Sequence, residues 1–467
     1  MIEALKSIVG SGNVLTGDDT ERLSHDWIGS YHWAPLAVVR PANTAEVSAV
    51  VKLANQTGTP LVPVSGNTGL AGGTRAEGAI MLSLERMNAV REIRPEARIA
   101  IVEAGLVLSA LHEAAGGHDL IFPLTFGARG SAMIGGCLAT NAGGSNVLRY
   151  GNTRDLCLGL EVVLPTGEVM DIMSELHKDN SGYNLRHLMI GAEGTLGIIT
   201  AAVLRLYPRP RAYATAMVAA RSLDDALVLL NRLQSATGGA VEAFEYMPRG
   251  YITAHLARFP AARAPFERAY DVNILVEIGA TSDRDCVPGP DGQVPIAAHL
   301  EQVLAALFED GLVLDAVVAQ NETQRAEMWA RRENAAEVVL GRRPIVNNDI
   351  AVPLDRVAEF LQVVEGRLAD VDAGAESITV SHLGDGNVHY TVWPGSEDEV
   401  VQDRIMEMVE DVAISLGGSF SAEHGIGTSK LASMRRRKNA VAIQAMRAIK
   451  AALDPNGILN PGKVLPE

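Results

Sequence analysis

The chain has 467 residues, 47% apolar and 21% charged, and a net charge of −16 from 40 Lys plus Arg against 56 Asp plus Glu. This composition excludes intrinsic disorder, and the length predicts two or three domains. The negative balance argues against nucleic acid or an anionic membrane as the main partner, while a local Arg or Lys cluster can still hold a small anion. The 45 glycines point to many tight turns and backbone-lined sites. Three cysteines, Cys137, Cys157 and Cys286, form no C-x-x-C pair, so neither a disulfide framework nor a zinc knuckle is encoded and a cytoplasmic protein is expected. Residues 1–13 show no secretory pattern and no window holds 18 uninterrupted apolar residues, so no membrane span is predicted.

In chain order, Pro35–Arg40 reads as a strand, and Asn43 caps a helix that continues through Asn55. Short apolar runs follow at Leu61–Ser65, Ala79–Ser83, Ile99–Glu103, Leu160–Leu164 and Gly197–Thr200. Pro208-Arg-Pro210 marks a boundary. Beyond it, helices are predicted at Leu223–Gln234, Ile296–Glu309 and Leu354–Leu368, and strands at Val272–Glu277, Leu312–Val317, Ile350–Pro353 and Ile378–His382. The stretch from Asp283 to Pro295 reads as an excursion loop. The tail from Lys430 is helical, with Met446, Ile449 and Leu453 as its buried stripe, and it ends at Asp454-Pro-Asn-Gly457. The fold class is α+β, divided as 1–208, 209–420 and 421–467.

Glycine-rich loops stand out at Ser65–Thr74, Gly127–Gly144 and Gly191–Gly197. Glycines let successive backbone N–H groups approach a pyrophosphate, yet neither G-x-G-x-x-G nor G-x-x-x-x-G-K-[ST] occurs. Pro63-Val-Ser-Gly-Asn-Thr-Gly-Leu-Ala-Gly-Gly-Thr74, Ile134-Gly-Gly136, Thr140-Asn-Ala-Gly-Gly144 and Gly191-Ala-Glu-Gly-Thr-Leu-Gly197 resemble the FAD-contacting segments of FAD-linked oxidases of the vanillyl-alcohol-oxidase type. The resemblance extends to Leu459-Asn-Pro-Gly-Lys463 and is nearest to the D-2-hydroxyglutarate and D-lactate dehydrogenase branch. It implies a two-lobed FAD-binding domain, an α+β cap domain over the flavin ring, and a C-terminal segment returning to the flavin. The residues it implies for FAD are Pro63, Ser65, Gly66, Asn67, Thr68, Gly69, Leu70, Gly72, Gly73, Thr74, Pro123, Leu124, Gly135, Gly136, Thr140, Asn141, Gly143, Gly144, Glu193, Gly194, Gly197, Ile198 and Asn460. No His lies in Ser65–Thr74, so FAD is expected to be non-covalent, with Cys137 a small packed residue.

Ser381–Tyr390 carries Asp385-Gly386 between apolar runs, the pattern of a two-residue hairpin turn. That turn makes His382 face His389, with Cβ atoms ~4.5–5.5 Å apart, close enough to share a divalent metal. Glu423, in Ser419–Gly425, offers a third ligand that leaves an open coordination position. The resemblance supports His382, His389 and Glu423 as ligands of zinc or a similar ion and aligns His424 with the family's catalytic histidine. His424 would take the substrate hydroxyl proton as hydride leaves C2 for the flavin, giving a 2-oxo acid.

Arg332 aligns with the family's substrate-binding arginine and suits a carboxylate, while its neighbour Arg331 reads as part of a solvated helical face. His382, Asn347 and Thr391 complete the substrate-binding set. Ala336, Asn347 and Thr391 stand where D-2-hydroxyglutarate enzymes carry Thr, Lys and Asn, which leaves the particular acid open; Arg342 and Arg343 are candidates to compensate. The basic run Arg435–Lys438 reads as a solvated helical face or a dock for an acidic electron-transfer partner. The sequence thus predicts an FAD- and metal-dependent D-2-hydroxyacid dehydrogenase, a homodimer passing electrons to an electron-transfer flavoprotein or quinone. An oxidase and a catalytically silent flavoprotein subunit are the alternatives, and the absence of G-x-S-x-G argues against a hydrolase.

Overall fold

The computed structural model describes every residue except Asp291, and the chain divides into two compact units. The first comprises Met1–Gly143, Gly151–Arg209 and Glu423–Glu467; the second comprises Gly144–Tyr150 and Pro210–Ala422. The tail therefore belongs to the first unit from Glu423, while the short Gly144–Tyr150 segment belongs to the second.

In the first unit, β1 (Val14–Leu15), β2 (Ala37–Val39), β3 (Leu61–Val64) and β4 (Ile80–Ser83) form a sheet in the order β1-β2-β4-β3. The β2–β4 and β3–β4 pairs are parallel, so a crossover must join β2 to β3. The helix Thr44–Thr57 makes it: the Asn43 side chain accepts from the Glu46 amide at one end, and Gly58 takes a left-handed conformation at the other. Val47, Val50, Val51 and Ala54 line its buried face. A second, wholly antiparallel sheet contains β5 (Val90–Arg94), β6 (Ile99–Glu103), β8 (Cys157–Val163), β9 (Val169–Ile172) and β10 (Ile198–Arg205). Its order is β5-β6-β10-β8-β9, and β10, the central strand, is buried along nearly its whole length. A small pair, β7 (Leu120–Ile121) and β11 (Tyr207–Pro208), lies apart from both sheets.

The tail forms helices Leu431–Arg437 and Ala440–Leu453, after which Leu459 bridges Leu61 at the start of β3. In the second helix Ile443 is the buried residue, whereas Met446, Ile449 and Leu453 are only half-buried. The helical spacing is right, but the predicted stripe lies at the margin of the contact rather than within it. Arg435, Arg436 and Lys438 are exposed and Arg437 half-buried.

The second unit is built on a seven-stranded antiparallel sheet. Its strands are β12 (Ala212–Ala220), β13 (Val241–Pro248), β14 (Val272–Ala280), β15 (Val313–Val318), β16 (Val346–Ala351), β17 (Glu376–His382) and β18 (Asn387–Trp393), ordered β15-β12-β14-β13-β17-β18-β16. One face packs against helices Leu223–Thr237, Pro295–Glu309, Val357–Val371 and Glu399–Ser415 in a cluster that includes Phe244, Ile274, Val388 and Tyr390. The other face, through Met217, Met247, Leu275 and Val380, packs against Tyr251, Ile252 and Met328 on helices Arg249–Arg258 and Glu322–Glu333. Strand β12, Ala-Tyr-Ala-Thr-Ala-Met-Val-Ala-Ala, escaped the sequence reading because alanine favours helix and a strand covered on both sides shows no clean polar alternation. The Asp283–Pro295 stretch contains a short helix, Asp283–Cys286, and Pro295 itself opens the next helix; Asp291 lies outside the described residues. The segment Gly144–Tyr150 is tied to β13, since Arg149 Nη1 and the Tyr150 hydroxyl each donate to buried Glu242 at 2.7 Å.

All three cysteines are free. Burial pushes the Cys137 and Cys157 thiols up to about 12, while Cys286 is half-exposed. Because the thiolate is the reactive form, Cys286 is the one thiol expected to react promptly with an aromatic disulfide at pH 8, before any denaturant is added. Prompt titration of all three would contradict this packing.

Candidate functional site

Within the first unit, the loop after β3 has the character of an anion cradle. Among the described residues, none of the backbone amides from Gly66 to Thr74 donates to a protein acceptor. The loop is nevertheless fixed: Asn67 Nδ2 donates to the His25 carbonyl at 2.8 Å, and the Thr74 hydroxyl donates to Asn67 Oδ1 at 2.8 Å. A fixed run of uncommitted N–H groups fits a pyrophosphate. Gly66 is required for packing, since a Cβ there would overlap the Ser131 carbonyl. Gly136 lies against Ser65, so the cradle meets the start of helix Ile134–Thr140. Asn141, left-handed at φ 53°, ends that helix and accepts from the Arg154 amide. Gly66→Ala is expected to give protein that folds but is purified with much less flavin, as read from the visible spectrum; full flavin content would contradict the close approach.

Other loops of this unit carry more of the predicted set. Leu124 is buried, and its carbonyl is 2.8 Å from His112 Nε2. The Glu193 carboxylate accepts from the amides of Ile426 (2.7 Å) and Gly427 (2.8 Å), and the amides of Thr428 and Ser429 donate to the Ala71 carbonyl. Burial pushes the Glu193 carboxyl up, against the two amide bonds that favour its charged form. Glu193 is thus a brace between the glycine loops and the segment beginning at His424. Asn460 donates to the carbonyls of Gly73 (3.1 Å) and Glu193 (2.7 Å), while its buried Oδ1 has no protein donor. An orphaned acceptor beside uncommitted amides fits a bound group that carries its own N–H. Gly143 closes one stretch of this unit and Gly144 opens a stretch of the other.

In the second unit the polar residues gather on one sheet face. Register places Asn347 opposite Thr391, Asp349 opposite His389, Ala351 opposite Asn387, His382 opposite Asn387, and Glu245 opposite His382. The two-residue alternation then sends these side chains to the face that also carries Met247 and Val380. His382 therefore faces Asn387, not His389, and the hairpin turn is longer than the Asp-Gly pair. A tight type I′ turn needs positive φ at both central residues, and of Asp385 and Gly386 only Gly386 has it. The Gly384 amide donates instead to the Phe244 carbonyl, which keeps this stretch running along β13. The offset amounts to two residues, so both imidazoles stay on the same face, with ring centroids 5.3 Å apart.

Glu245 lies fully buried beneath them. One oxygen accepts from Arg332 Nε at 2.7 Å, and the other is 2.8 Å from His382 Nδ1. Burial opposes ionisation of Glu245, but the charges of His382 and Arg332 and their hydrogen bonds outweigh it and hold the carboxyl below its ordinary value. Arg332 Nη2 lies 3.5 Å from His382 Nε2, and Nη1 makes no protein hydrogen bond among the described residues. A second buried carboxylate, Glu277, anchors the same helix through Arg325 (2.7 Å) and Trp329 Nε1 (2.8 Å). His389 Nδ1 is 3.8 Å from buried Asp349, which also accepts from Asn387 Nδ2 at 2.9 Å.

Asp349 was missed in the sequence, although strand alternation from Asn347 would have found it. Thr391 donates to Asn347 Oδ1 at 3.1 Å, and Arg342 is engaged by Glu376 and stacks on Trp393. Ala336 is exposed. The Ala422 amide donates to the Asp349 carbonyl, and Glu423 follows one peptide link later, ~3.8 Å between Cα atoms. His424 Nε2 is 3.8 Å from Glu423 Oε1.

A family model for an FAD binding domain matches residues 35–173, and one for FAD linked oxidases, C-terminal domain, matches residues 209–464. The chain belongs to the FAD-linked oxidase family. It is 36% identical over 452 residues to a D-2-hydroxyglutarate dehydrogenase of Xanthomonas citri pv. viticola, covering 96% of this chain and 92% of that one. It is 33% identical over 478 residues to a D-2-hydroxyglutarate dehydrogenase of Stutzerimonas stutzeri, covering 99% and 98%. The solved structure of p-cresol methylhydroxylase with substrate bound shares the fold, with a TM-score of 0.75 at 17% identity over 99% of this chain and 95% of that one. No described helix is long and apolar enough to cross a membrane.

Proposed function

We propose that this protein is an FAD-dependent dehydrogenase that oxidises a D-2-hydroxy acid to the 2-oxo acid. The observation that carries this reading is Arg332, a buried guanidinium held by Glu245 with Nη1 uncommitted, in a chain similar along its length to D-2-hydroxyglutarate dehydrogenases. Arg332 binds the substrate carboxylate, and Glu245 fixes both the guanidinium and the His382 ring, so neither must be ordered when substrate arrives. His424 takes the hydroxyl proton; its loop is held by Glu193 through the backbone of Ile426 and Gly427. FAD, when bound, supplies the hydride acceptor. The amides of Gly66–Thr74, the loops at Pro123–Leu124 and 133–144, Gly194, Gly197 and Asn460 support its non-covalent binding.

A divalent cation, when bound, supplies a Lewis acid that lowers the hydroxyl pKa. We assign it to His382, His389 and Glu423; the two imidazoles share one sheet face with ring centroids 5.3 Å apart, and imidazole and carboxylate ligands suit zinc. The distal end of the acid meets Asn347 and Thr391. The dehydrogenase names of the relatives favour a protein or quinone acceptor over oxygen, with the exposed residues of Arg435–Lys438 as its dock. The three free cysteines support a cytoplasmic setting.

The decisive experiment is an anaerobic titration of purified protein with D- and L-forms of lactate and 2-hydroxyglutarate. One D-acid is expected to bleach the visible flavin band, and a chelator should slow bleaching until zinc is restored. A band unchanged by every acid, with flavin and metal both present, would sink the reading.

A further inference from the structure

Arg331 and Arg332 are neighbours in sequence with opposite circumstances. Arg332 has a carboxylate, whereas Arg331, only 6% exposed, has no ion-pair partner among the described residues. The solvated face predicted for it is therefore wrong: successive helical residues point about 100° apart, and Arg331 turns into the apolar cluster around Tyr251, Phe266 and Met328. Its Nη2 donates to the Arg263 carbonyl at 2.8 Å, while Nε and Nη1 are buried with no acceptor. The Tyr251 hydroxyl donates to the Arg331 backbone carbonyl at 2.6 Å and makes no hydrogen bond with the orphaned Nε and Nη1 of the side chain.

His255, on the adjoining helix Arg249–Arg258, repeats the anomaly. It is 2% exposed, and neither ring nitrogen has a partner. The rings of Tyr251 and Phe259 lie 6.2 and 5.0 Å away. Burial and, next, the Arg331 charge hold its imidazole below the ordinary value, so the two groups sense each other. Burial likewise lowers the Arg331 pKa.

A desolvated cation without a counter-charge is among the most costly arrangements a protein interior can hold. Water would satisfy the donors and leave the charge. A carboxylate side chain would satisfy both, but Glu327, which raises the Arg331 pKa only through space, makes no ion pair with it. We propose that Arg331 and His255 form an internal site for a small monovalent inorganic anion such as chloride, bound between helices Arg249–Arg258 and Glu322–Glu333. One negative charge balances the guanidinium, and the inaccessibility of the orphaned atoms limits the occupant to a small ion admitted by local opening. The anion steadies the helix that presents Arg332, so the site is structural and independent of the oxidation chemistry.

The test uses intact flavoprotein freed of halide by exchange into sodium gluconate. Chloride or bromide substituted at constant ionic strength should raise the unfolding midpoint saturably, by roughly 2 °C or more. Arg331→Leu should abolish that halide-specific rise. Wild-type crystals soaked in bromide give a reading that does not depend on the variant folding: an anomalous peak beside Arg331 and His255 is expected. Water density there with no bromide peak, or equal halide responses in wild type and variant, would overturn the proposal.

Discussion

Replacing Glu245 with alanine is expected to cost about 3–5 kcal/mol of stability, because it leaves the buried Arg332 guanidinium without its partner. Both side chains are nearly inaccessible and their hydrogen bond is 2.7 Å, so solvent screening gives little relief. Chemical unfolding followed by far-UV circular dichroism would show this as a transition of the second unit at lower denaturant. Glu245→Gln keeps the volume but not the charge, and is expected to fold with a raised KM, since the guanidinium and the His382 ring lose a shared anchor. The pH dependence has a definite sign. Glu245 is held below its ordinary value of 4.5, so its contribution is present above that value and is lost as pH falls through the lower folded value. The Gln variant should lack that part of the acid sensitivity; an unchanged midpoint, KM and acid profile would remove Glu245 from the architecture of the acid site.

Replacing His424 with alanine is expected to slow substrate-driven flavin reduction by about 10²–10⁴-fold, the usual contribution of a positioned general base. Flavin content should stay the same. The segment around His424 is held by the Glu193 carboxylate on the amides of Ile426 and Gly427 and by the Ala71 carbonyl, none of which involves the His424 side chain. Anaerobic stopped-flow reduction separates this from a binding defect. A variant that reduces at the wild-type rate would end the general-base assignment, and one purified without flavin would show the side chain to be structural.

The glycine loops, the separate texture beyond Pro208 and the pairing of His382 with His389 on one face were legible in the sequence because each depends on residue types at short spacing. The hairpin shows the limit of that method. Asp385-Gly386 did mark a turn, but the pairing of β13 with β17 and the bond from Gly384 to Phe244 drew the chain onward, and the turn lengthened by two residues. The His pair survived because an offset of two residues leaves both rings on one face. Glu245 and Glu277 look like ordinary alternating strand residues in the sequence, and only the helix packed on their sheet shows why carboxylates stand there.

The sequence by itself determined the class of cofactor cradle, the residues of donor chemistry and the alternation of strands, since these follow from local backbone freedom and side-chain type. Tertiary structure alone decided which carboxylate each buried cation receives. Arg331 and Arg332 are indistinguishable as letters, yet one meets Glu245 and the other an apolar cluster, because a 100° turn of helix sends them to different neighbours.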